Sequence, residues 1–306
     1  MQSTARIAIG PCLPEFPSWQ WLGDGMTNFL KSTFAIEYFS DLASIPPADI
    51  VIFLKFLPTA PVLAKVGMQS RVIFMPVDIY GSCREIDENA ELLEHVARTI
   101  VHSRRLQRYF AAYCDVDYLD HPINFVLDLP RRTDDSGPLI WIGQHCNLSP
   151  VIDWLNADES AREVWILTNI NDDLNTLDIT NRLMRPRVRI EQWTRAKHIQ
   201  YLALSTAAID IKGDDFRARH KPPAKSFDFA ASGIPIIVGH GSSADYHFRH
   251  IGYTPLYANS WQEELDGDYR QYAYKKAMPI RQSLSSESVW NRLRMMLEEE
   301  FERVPG

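Results

Sequence analysis

The sequence lacks the features that mark several common classes of protein. Only four cysteines occur among 306 residues (Cys12, Cys83, Cys114 and Cys146), and no two of them form a CxxC pair. This spacing favours reduced thiols over a disulfide framework or a zinc site. No metal site of any kind is predicted.

Long hydrophobic runs are also missing. No uninterrupted apolar stretch approaches the roughly 18 residues that a membrane-spanning helix needs. The N-terminus passes directly into the strand-like Ile7-Ala8-Ile9-Gly10 and does not resemble a signal peptide. The sequence therefore predicts a cytoplasmic protein with no transmembrane segment, while a peripheral contact with a membrane stays open.

An excess of basic charge is absent from the chain as a whole. The sequence has 32 Lys and Arg against 39 Asp and Glu, a net charge of -7. Residues 1–132 hold 12 basic and 15 acidic side chains, which leaves 20 and 24 for the rest, so both halves are mildly acidic. No nucleic-acid partner is therefore expected. With 45% hydrophobic and 23% charged residues, the composition excludes a disordered or fibrous chain.

Short apolar runs alternate with amphipathic stretches along the whole chain. The run 50–54, Ile-Val-Ile-Phe-Leu, is typical of a parallel strand that is buried on both faces. Strands that alternate with helices predict βαβ units, and the proline- and glycine-containing stretch 129–138 predicts a linker. We expect an α/β protein with two Rossmann-like domains, residues 1–132 and 133–280, followed by a C-terminal helix in residues 281–306.

One basic segment stands out from its acidic surroundings. It runs from residue 212 to residue 225, between a predicted strand and a predicted helix, and Pro222 and Pro223 suit the first turn of that helix. Cations beside a helix N-terminus are suited to a diphosphate, although a solvated basic loop is the alternative. Its cationic or titratable side chains are Lys212, Arg217, Arg219, His220, Lys221 and Lys225.

The run that follows resembles a known family. Residues 223–238, Pro-Ala-Lys-Ser-Phe-Asp-Phe-Ala-Ala-Ser-Gly-Ile-Pro-Ile-Ile-Val, resemble the second-domain signature of GT-B glycosyltransferases, and more narrowly of the glycogen-synthase-related (family 4-like) group. Residues 100–106, 118–124 and 140–143 resemble other segments of that group in the same order. The resemblance covers about residues 6–245. It implies two Rossmann-like domains with an interdomain crevice, and a C-terminal helix that packs back on the first domain.

The resemblance also implies roles for residues of the second domain. Lys225 would contact the donor diphosphate, and Asp228 stands where the family has a Glu that binds the ribose hydroxyls. Gly143 would follow the strand that opens the domain and would take part in donor binding. The turn at Ser242 and Ser243 would also approach the nucleotide-sugar, although a helix cap explains these serines almost as well.

The chain departs from the family pattern at two places. His220 stands where the family often has a Glu that contacts the transferred sugar, so we assign His220 a catalytic role and leave the stereochemistry open. The Arg and Lys that commonly follow the domain opening are missing here. We expect Arg217, Arg219 and Lys221 to supply the positive charge for the diphosphate in place of that Arg and Lys.

The first domain is expected to supply the acceptor side. The loop that enters its first helix contains Trp21, Gly23 and Gly25, and glycine permits close approach of a substrate. A core position is the alternative for the tryptophan. Asp78 follows a strand where the family often has a His, so it is a candidate to accept a proton from the acceptor, with a turn or cap role as the alternative.

These observations predict a glycosyltransferase that moves a sugar from a nucleotide-diphosphate-sugar to a hydroxyl acceptor. The expected partners are that donor and a sugar, lipid-linked or protein acceptor, as in polysaccharide biosynthesis, and no metal or other cofactor is expected. Two alternatives stay open. One is a nucleotide-sugar epimerase of similar architecture, and the other is a catalytically inactive GT-B-like binding protein.

Overall fold

The computed structural model describes residues 5–16, 18–130, 137–170, 173–184 and 186–303, without the side chains of residues 21 and 173–176. The predicted boundary between residues 132 and 133 and most of the predicted linker lie outside the described residues. No helix in the described ranges is long and apolar enough to cross a membrane. The four cysteines are free thiols.

The secondary structure alternates between strands and helices, which are numbered here in chain order. The strands are β1 (Arg6–Gly10), β2 (Ala35–Tyr38), β3 (Ile50–Leu54), β4 (Arg71–Met75), β5 (Arg98–Val101), β6 (Asp115–Tyr118), β7 (Leu139–Ile142), β8 (Val164–Thr168), β9 (Val188–Gln192), β10 (Ala207–Asp210), β11 (Ile236–Val238) and β12 (Leu256–Tyr257). The helices are α1 (Asp24–Leu30), α2 (Ala60–Gly67), α3 (Cys83–Asp87), α4 (Ala90–Leu93), α5 (Arg104–Phe110), α6 (Ser149–Ala157), α7 (Asp173–Arg182), α8 (Arg195–Leu204), α9 (Phe216–His220), α10 (Ala224–Ala231), α11 (Ser243–His250), α12 (Trp261–Glu264), α13 (Gly267–Leu284) and α14 (Ser286–Glu302).

The chain divides into two compact units, which are described separately. Unit 1 consists of Met1–Pro122, Asp215–Lys221 and Leu284–Gly306, and unit 2 consists of Ile123–Asp214 and Pro222–Ser283. The short segment 215–221, which chain order places in the second predicted domain, therefore groups with unit 1.

Unit 1 is built on a six-stranded parallel sheet with the order β2-β1-β3-β4-β5-β6. All five residues of β3 are buried, as the run 50–54 predicts. Successive side chains of a strand point to opposite faces, so Ile50 and Ile52 join one apolar cluster while Val51 and Phe53 join another. The strand order reverses between β1 and β3, and ligands of open α/β sheets bind beside the carboxyl ends of the strands at such a reversal.

The C-terminal helix α14 belongs to unit 1. Its buried residues Val289, Trp290, Leu293 and Leu297 lie in the same cluster as the β3 residues Ile50 and Ile52. These positions recur every three or four residues, so they form one stripe of the helix that covers one face of the sheet.

Unit 2 is built on a second six-stranded parallel sheet, with the order β12-β11-β10-β7-β8-β9. Counted within the unit, this is the Rossmann order 3-2-1-4-5-6, which reverses between β7 and β10. Two parallel sheets with helices around them confirm the predicted α/β fold class. The 18-residue helix α13 was not predicted.

Candidate functional site

The carboxyl end of β10 lies at the strand reversal of unit 2 and holds a polar cluster. Both carboxylate oxygens of Asp210 accept bonds from the Lys212 ammonium, at 2.8 and 2.9 Å. The Ser226 hydroxyl, in the first turn of α10, donates to Asp210 at 2.7 Å. Asp210 thus compensates the charge of Lys212 and anchors the start of α10 beside the strand end.

Lys225 precedes that serine and is half-buried in the first turn of α10. A cation is unfavourable at a helix N-terminus, where the helix dipole attracts anions. Pro223 occupies the N-cap position, and no side chain caps this turn. Burial lowers the pKa of the nearby His198 to about 4, and the positive charge of Lys225 adds to this decrease. A ligand anion at this turn could contact both the lysine ammonium and the helix amides.

Asp228 lies one turn further along α10 and is fully buried. Its Oδ1 accepts the backbone N–H of Asn124 at 2.8 Å. Burial raises the pKa of Asp228 to about 8, although hydrogen bonds from the backbone of Asn124 and Phe125 and the charge of Lys225 oppose the rise. The contacts described for this carboxyl group are therefore to the chain itself, and its role toward a ribose stays a prediction.

The segment after Pro122 is fastened to unit 2 by the same helix. The backbone N–H of Leu127 donates to the Ser232 hydroxyl at 3.1 Å. Arg281 of α13 donates to the backbone carbonyl groups of Leu127, at 2.7 Å, and of Ala231, and it also forms an ion pair with Asp128. These bonds explain why the segment that begins at residue 123 groups with unit 2.

Gly143 follows β7 at the strand reversal of unit 2. A Cβ atom at this position would overlap the ring of Trp141, and the Gly143 N–H donates to the carbonyl of Leu167 at 3.1 Å. Close packing therefore explains the glycine, and its predicted role beside the donor stays a prediction.

The turn after β11 is an N-terminal cap. The Ser242 hydroxyl accepts the N–H of Asp245 at 3.1 Å, and the Asp245 carboxylate accepts the N–H of Gly241 at 2.8 Å. Gly241 has φ +70, a conformation that favours glycine. Ser243 is buried as the first residue of α11. The capping alternative therefore accounts for the Ser242 side chain.

Asp78 lies in the turn after β4 at the carboxyl edge of unit 1. Its Oδ1 lies 3.5 Å from the Lys55 ammonium, and its Oδ2 lies 3.3 Å from the Lys221 ammonium. Burial alone would raise the pKa of Asp78, but the charges and hydrogen bonds of Lys221 and Lys55 outweigh burial and hold the pKa below its usual range. Asp78 is thus ionised and held by two cations, which makes it a weak proton acceptor. Its catalytic role stays a prediction.

The other candidates of the basic segment pack on unit 1. Arg217 donates to the backbone carbonyl of Ile79 at 3.0 Å, and the carbonyl of Arg219 accepts a bond from Arg105 at 3.5 Å. The His220 ring is buried, 4.0 Å from the Phe216 ring. Burial is the main cause that lowers the pKa of His220, and Arg105, Arg108 and Arg219 contribute. The structure therefore groups Arg217, Arg219, His220 and Lys221 with Asp78 in unit 1, whereas Lys225 and Asp228 lie in unit 2.

The predicted glycine loop of unit 1 is largely helical. Trp19–Gly23 form one π-helical turn that continues into α1. A Cβ atom at Gly23 would lie 2.6 Å from the Trp19 ring, whereas one at Gly25 would make an ordinary contact with Trp290. The side chain of Trp21 lies outside the described part of the chain.

A histidine pair that the sequence analysis did not select lies at the ends of β5 and β6. The rings of His102 and His121 are 4.5 Å apart, and Nδ1 of His102 is 2.8 Å from the carbonyl of Leu119. The adjacent Asp120 pairs with Arg292 at 2.9 Å and accepts a bond from Tyr118. All of these groups except Arg292 and Tyr118 are more than 90% buried. Position at a strand end is the only sequence signal that could have found them.

No family model and no curated protein matches the sequence, but solved structures match the fold. A trehalose 6-phosphate synthase from Burkholderia multivorans matches with a TM-score of 0.67 at 10% identity, over 99% of each chain. A DNA-modifying β-glucosyltransferase, solved with and without its substrate uridine diphosphoglucose, matches with a TM-score of 0.59 at 11% identity, over 97% of this chain and 99% of that one. A putative UDP-N-acetylglucosamine 2-epimerase from Listeria monocytogenes matches with a TM-score of 0.51 at 10% identity, over 98% and 97%. The chain therefore has the GT-B fold.

Proposed function

We propose that this protein is a glycosyltransferase that moves a sugar from a nucleotide-diphosphate-sugar to a hydroxyl acceptor. The observation that carries the proposal is Lys225, a cation in the uncapped first turn of α10 at the strand reversal of a GT-B unit. When the bond between sugar and phosphate breaks, negative charge develops on the diphosphate. A fixed ammonium and helix amides at that place stabilise the leaving group, and we propose that they do so without a metal ion.

The fold matches support transfer over epimerisation. The two matched transferases have TM-scores of 0.67 and 0.59, and the putative epimerase has 0.51. Uridine diphosphoglucose is the substrate of one of the transferases, so a UDP-sugar is the first donor to test. An epimerase would also use histidine and carboxylate groups that can reach the substrate. His102 and Asp120 of unit 1 are both buried, and the Asp120 carboxylate pairs with Arg292.

Calorimetry with UDP, GDP, ADP and TDP tests the donor site. We expect Lys225→Ala to weaken binding of the preferred diphosphate by about tenfold or more, since a hydrogen bond to a charged group contributes about 1.5–3 kcal/mol. Lys275→Ala, an exposed lysine of α13, is the matched control and should bind like the parent protein. Equal affinities of parent and Lys225→Ala for every diphosphate would show that Lys225 is not a donor ligand.

Product analysis separates the proposal from its alternatives. The preferred nucleotide-sugar is incubated with and without a panel of hydroxyl acceptors. A transferase releases the nucleoside diphosphate in an acceptor-dependent way, an epimerase converts the nucleotide-sugar with no acceptor present, and an inactive binding protein leaves the bound nucleotide-sugar unchanged.

A further inference from the structure

Lys55 is a cation at the strand reversal of unit 1, and no motif marks it. It directly follows β3, and β1 and β3 are the strands between which the order reverses. Its backbone has φ 75, and Val77, which follows the neighbouring strand β4, has φ 55. Positive φ is costly for a lysine and more so for a β-branched valine, and such residues concentrate at ligand sites. The backbone thus holds the two strand ends in an unfavourable conformation beside Lys55.

Two aromatic rings and one carboxylate lie around the Lys55 ammonium. Its Nζ lies 5.1 Å from the centre of the Phe16 ring and 5.8 Å from that of Phe56. The rings themselves meet edge to face at 5.8 Å. The ammonium thus lies over both rings, and the carboxylate of Asp78 lies 3.5 Å from it.

Lys221 approaches the same carboxylate from the segment 215–221. Its ammonium lies 3.3 Å from the second oxygen of Asp78. The exposed fractions of the Lys55, Asp78 and Lys221 side chains are 20%, 25% and 35%. The cluster is therefore mostly enclosed but open to a small solute.

Among the contacts that the structure describes within unit 1, positive charge exceeds negative charge at this cluster. Two ammonium groups share one carboxylate, and Arg217 is held beside them by its bond to the carbonyl of Ile79. The two oxygens of Asp78 lie between the two ammonium groups, and two oxygens of a phosphate could take the same places. A phosphate would bring up to two negative charges and more acceptor oxygens than the carboxylate.

We propose that Lys55 and Lys221 form a binding site for a substrate phosphate group, in which Asp78 is a resident counterion that the phosphate displaces. Only the identity of the molecule that carries the phosphate rests on the proposed function. That molecule is either a phosphorylated acceptor or the donor with its diphosphate. A purely structural ion cluster is the competing explanation, and it predicts no phosphate binding.

Three substitutions separate the two explanations, because a purely structural ion cluster predicts no phosphate binding that they could change. Asp78→Asn removes the competing anion and leaves both ammonium groups in place, so phosphate should bind more tightly, by about fivefold or more for the loss of two partly exposed ion pairs. Lys55→Met and Lys221→Met each remove one cation and should weaken binding by about tenfold. The controls are Glu37→Gln and Lys65→Met, which make the same charge changes on exposed residues of unit 1.

Titration by ³¹P NMR, with glycerol 1-phosphate and with UDP as separate probes, measures these effects on the whole 306-residue chain. Tighter binding of either probe to Asp78→Asn and weaker binding to both lysine variants support the site. A response to glycerol 1-phosphate alone assigns it to the acceptor, and a response to UDP that includes Lys55→Met assigns it to the donor. The proposal is overturned if neither probe binds, or if Asp78→Asn and the lysine variants change affinity no more than their controls.

Two further measurements control for misfolding of the variants and for binding at the donor site. Circular dichroism melting confirms that each variant is folded, and the two lysine variants test the site independently if Asp78→Asn is unstable. Lys275→Ala, an exposed lysine of α13, should leave binding of both probes unchanged. A loss of UDP affinity in Lys225→Ala, with no change in Lys55→Met and Lys221→Met, concerns only the donor site, and its absence would not affect the phosphate site of unit 1.

Discussion

The buried carboxyl group of Asp228 should make the stability of unit 2 fall as the pH rises. The side chain is fully buried, and burial raises its pKa to about 8 in the folded state. An unfolded Asp titrates near 3.9, so between about pH 4 and pH 8 the folded state binds a proton that the unfolded state has lost. Linkage then requires stability to decrease with pH over this window.

The magnitude follows from the width of that window. Each pKa unit corresponds to about 1.4 kcal/mol, and about four units give a contribution on the order of 5 kcal/mol that is lost between pH 4 and pH 8. Asp228→Asn keeps an oxygen to accept the N–H of Asn124 and has no charge to bury. The variant should therefore gain stability relative to the parent protein as the pH rises, and at pH 8 it should be the more stable of the two.

Thermal melting from pH 5 to pH 8.5 measures the effect. Since about 1 kcal/mol moves the melting temperature by 2–4 °C in a domain of 150–250 residues, we expect Asp228→Asn to melt at least about 5 °C above the parent at pH 8. The difference should vanish or reverse near pH 5. Asp153→Asn, on the exposed side of α6, is the control for the chemical change. Parallel melting curves for Asp228→Asn and the parent across the whole range would refute the reasoning.

Two further predictions concern stability. Glu300→Ala should destabilise unit 1 by about 1.5–3 kcal/mol, because it removes a buried carboxylate that pairs with Arg98 at 3.0 Å and accepts a bond from Arg71 at 2.7 Å, while Arg98 keeps its ion pair with Asp117; chemical denaturation measures this, and a loss below 1 kcal/mol would contradict it. Gly143→Ala should destabilise unit 2 by about 1–3 kcal/mol through overlap with Trp141. Gly239→Ala, where the nearest atom is 3.9 Å away, should be tolerated, and equal melting temperatures for the two glycine variants would count against this packing argument.

The sequence predicted the parts of the fold that depend on local pattern. The run 50–54 indicated a strand buried on both faces, because its apolar residues are consecutive, and all five are buried in β3. The predicted C-terminal helix in residues 281–306 is present as α14, and its Trp290, Leu293 and Leu297 side chains are buried in unit 1. Helix α13 was missed. Its polar composition gives little periodic signal, and Pro279 lies inside it.

The candidate site could be predicted only in part, because chain order does not determine contact. Lys225 was assigned to the donor site from the motif that contains it, and this assignment stays a prediction. The neighbouring Lys221 was assigned to the same site from its charge, but its ammonium pairs with Asp78 of unit 1. Lys55 was not found, since a single lysine after a strand carries no sequence signal. Its proposed role as a phosphate ligand rests on the strand order and on the two rings beside it.

The most direct measurement of the central claim is acceptor-dependent release of nucleoside diphosphate from a panel of UDP-, GDP-, ADP- and TDP-sugars. We expect one of these donors to be cleaved, with its sugar recovered on an acceptor hydroxyl and with a rate that falls in Lys225→Ala but not in Lys275→Ala. Conversion of a nucleotide-sugar to its epimer without an acceptor, or binding of a nucleotide-sugar without any turnover across the panel, would contradict the account.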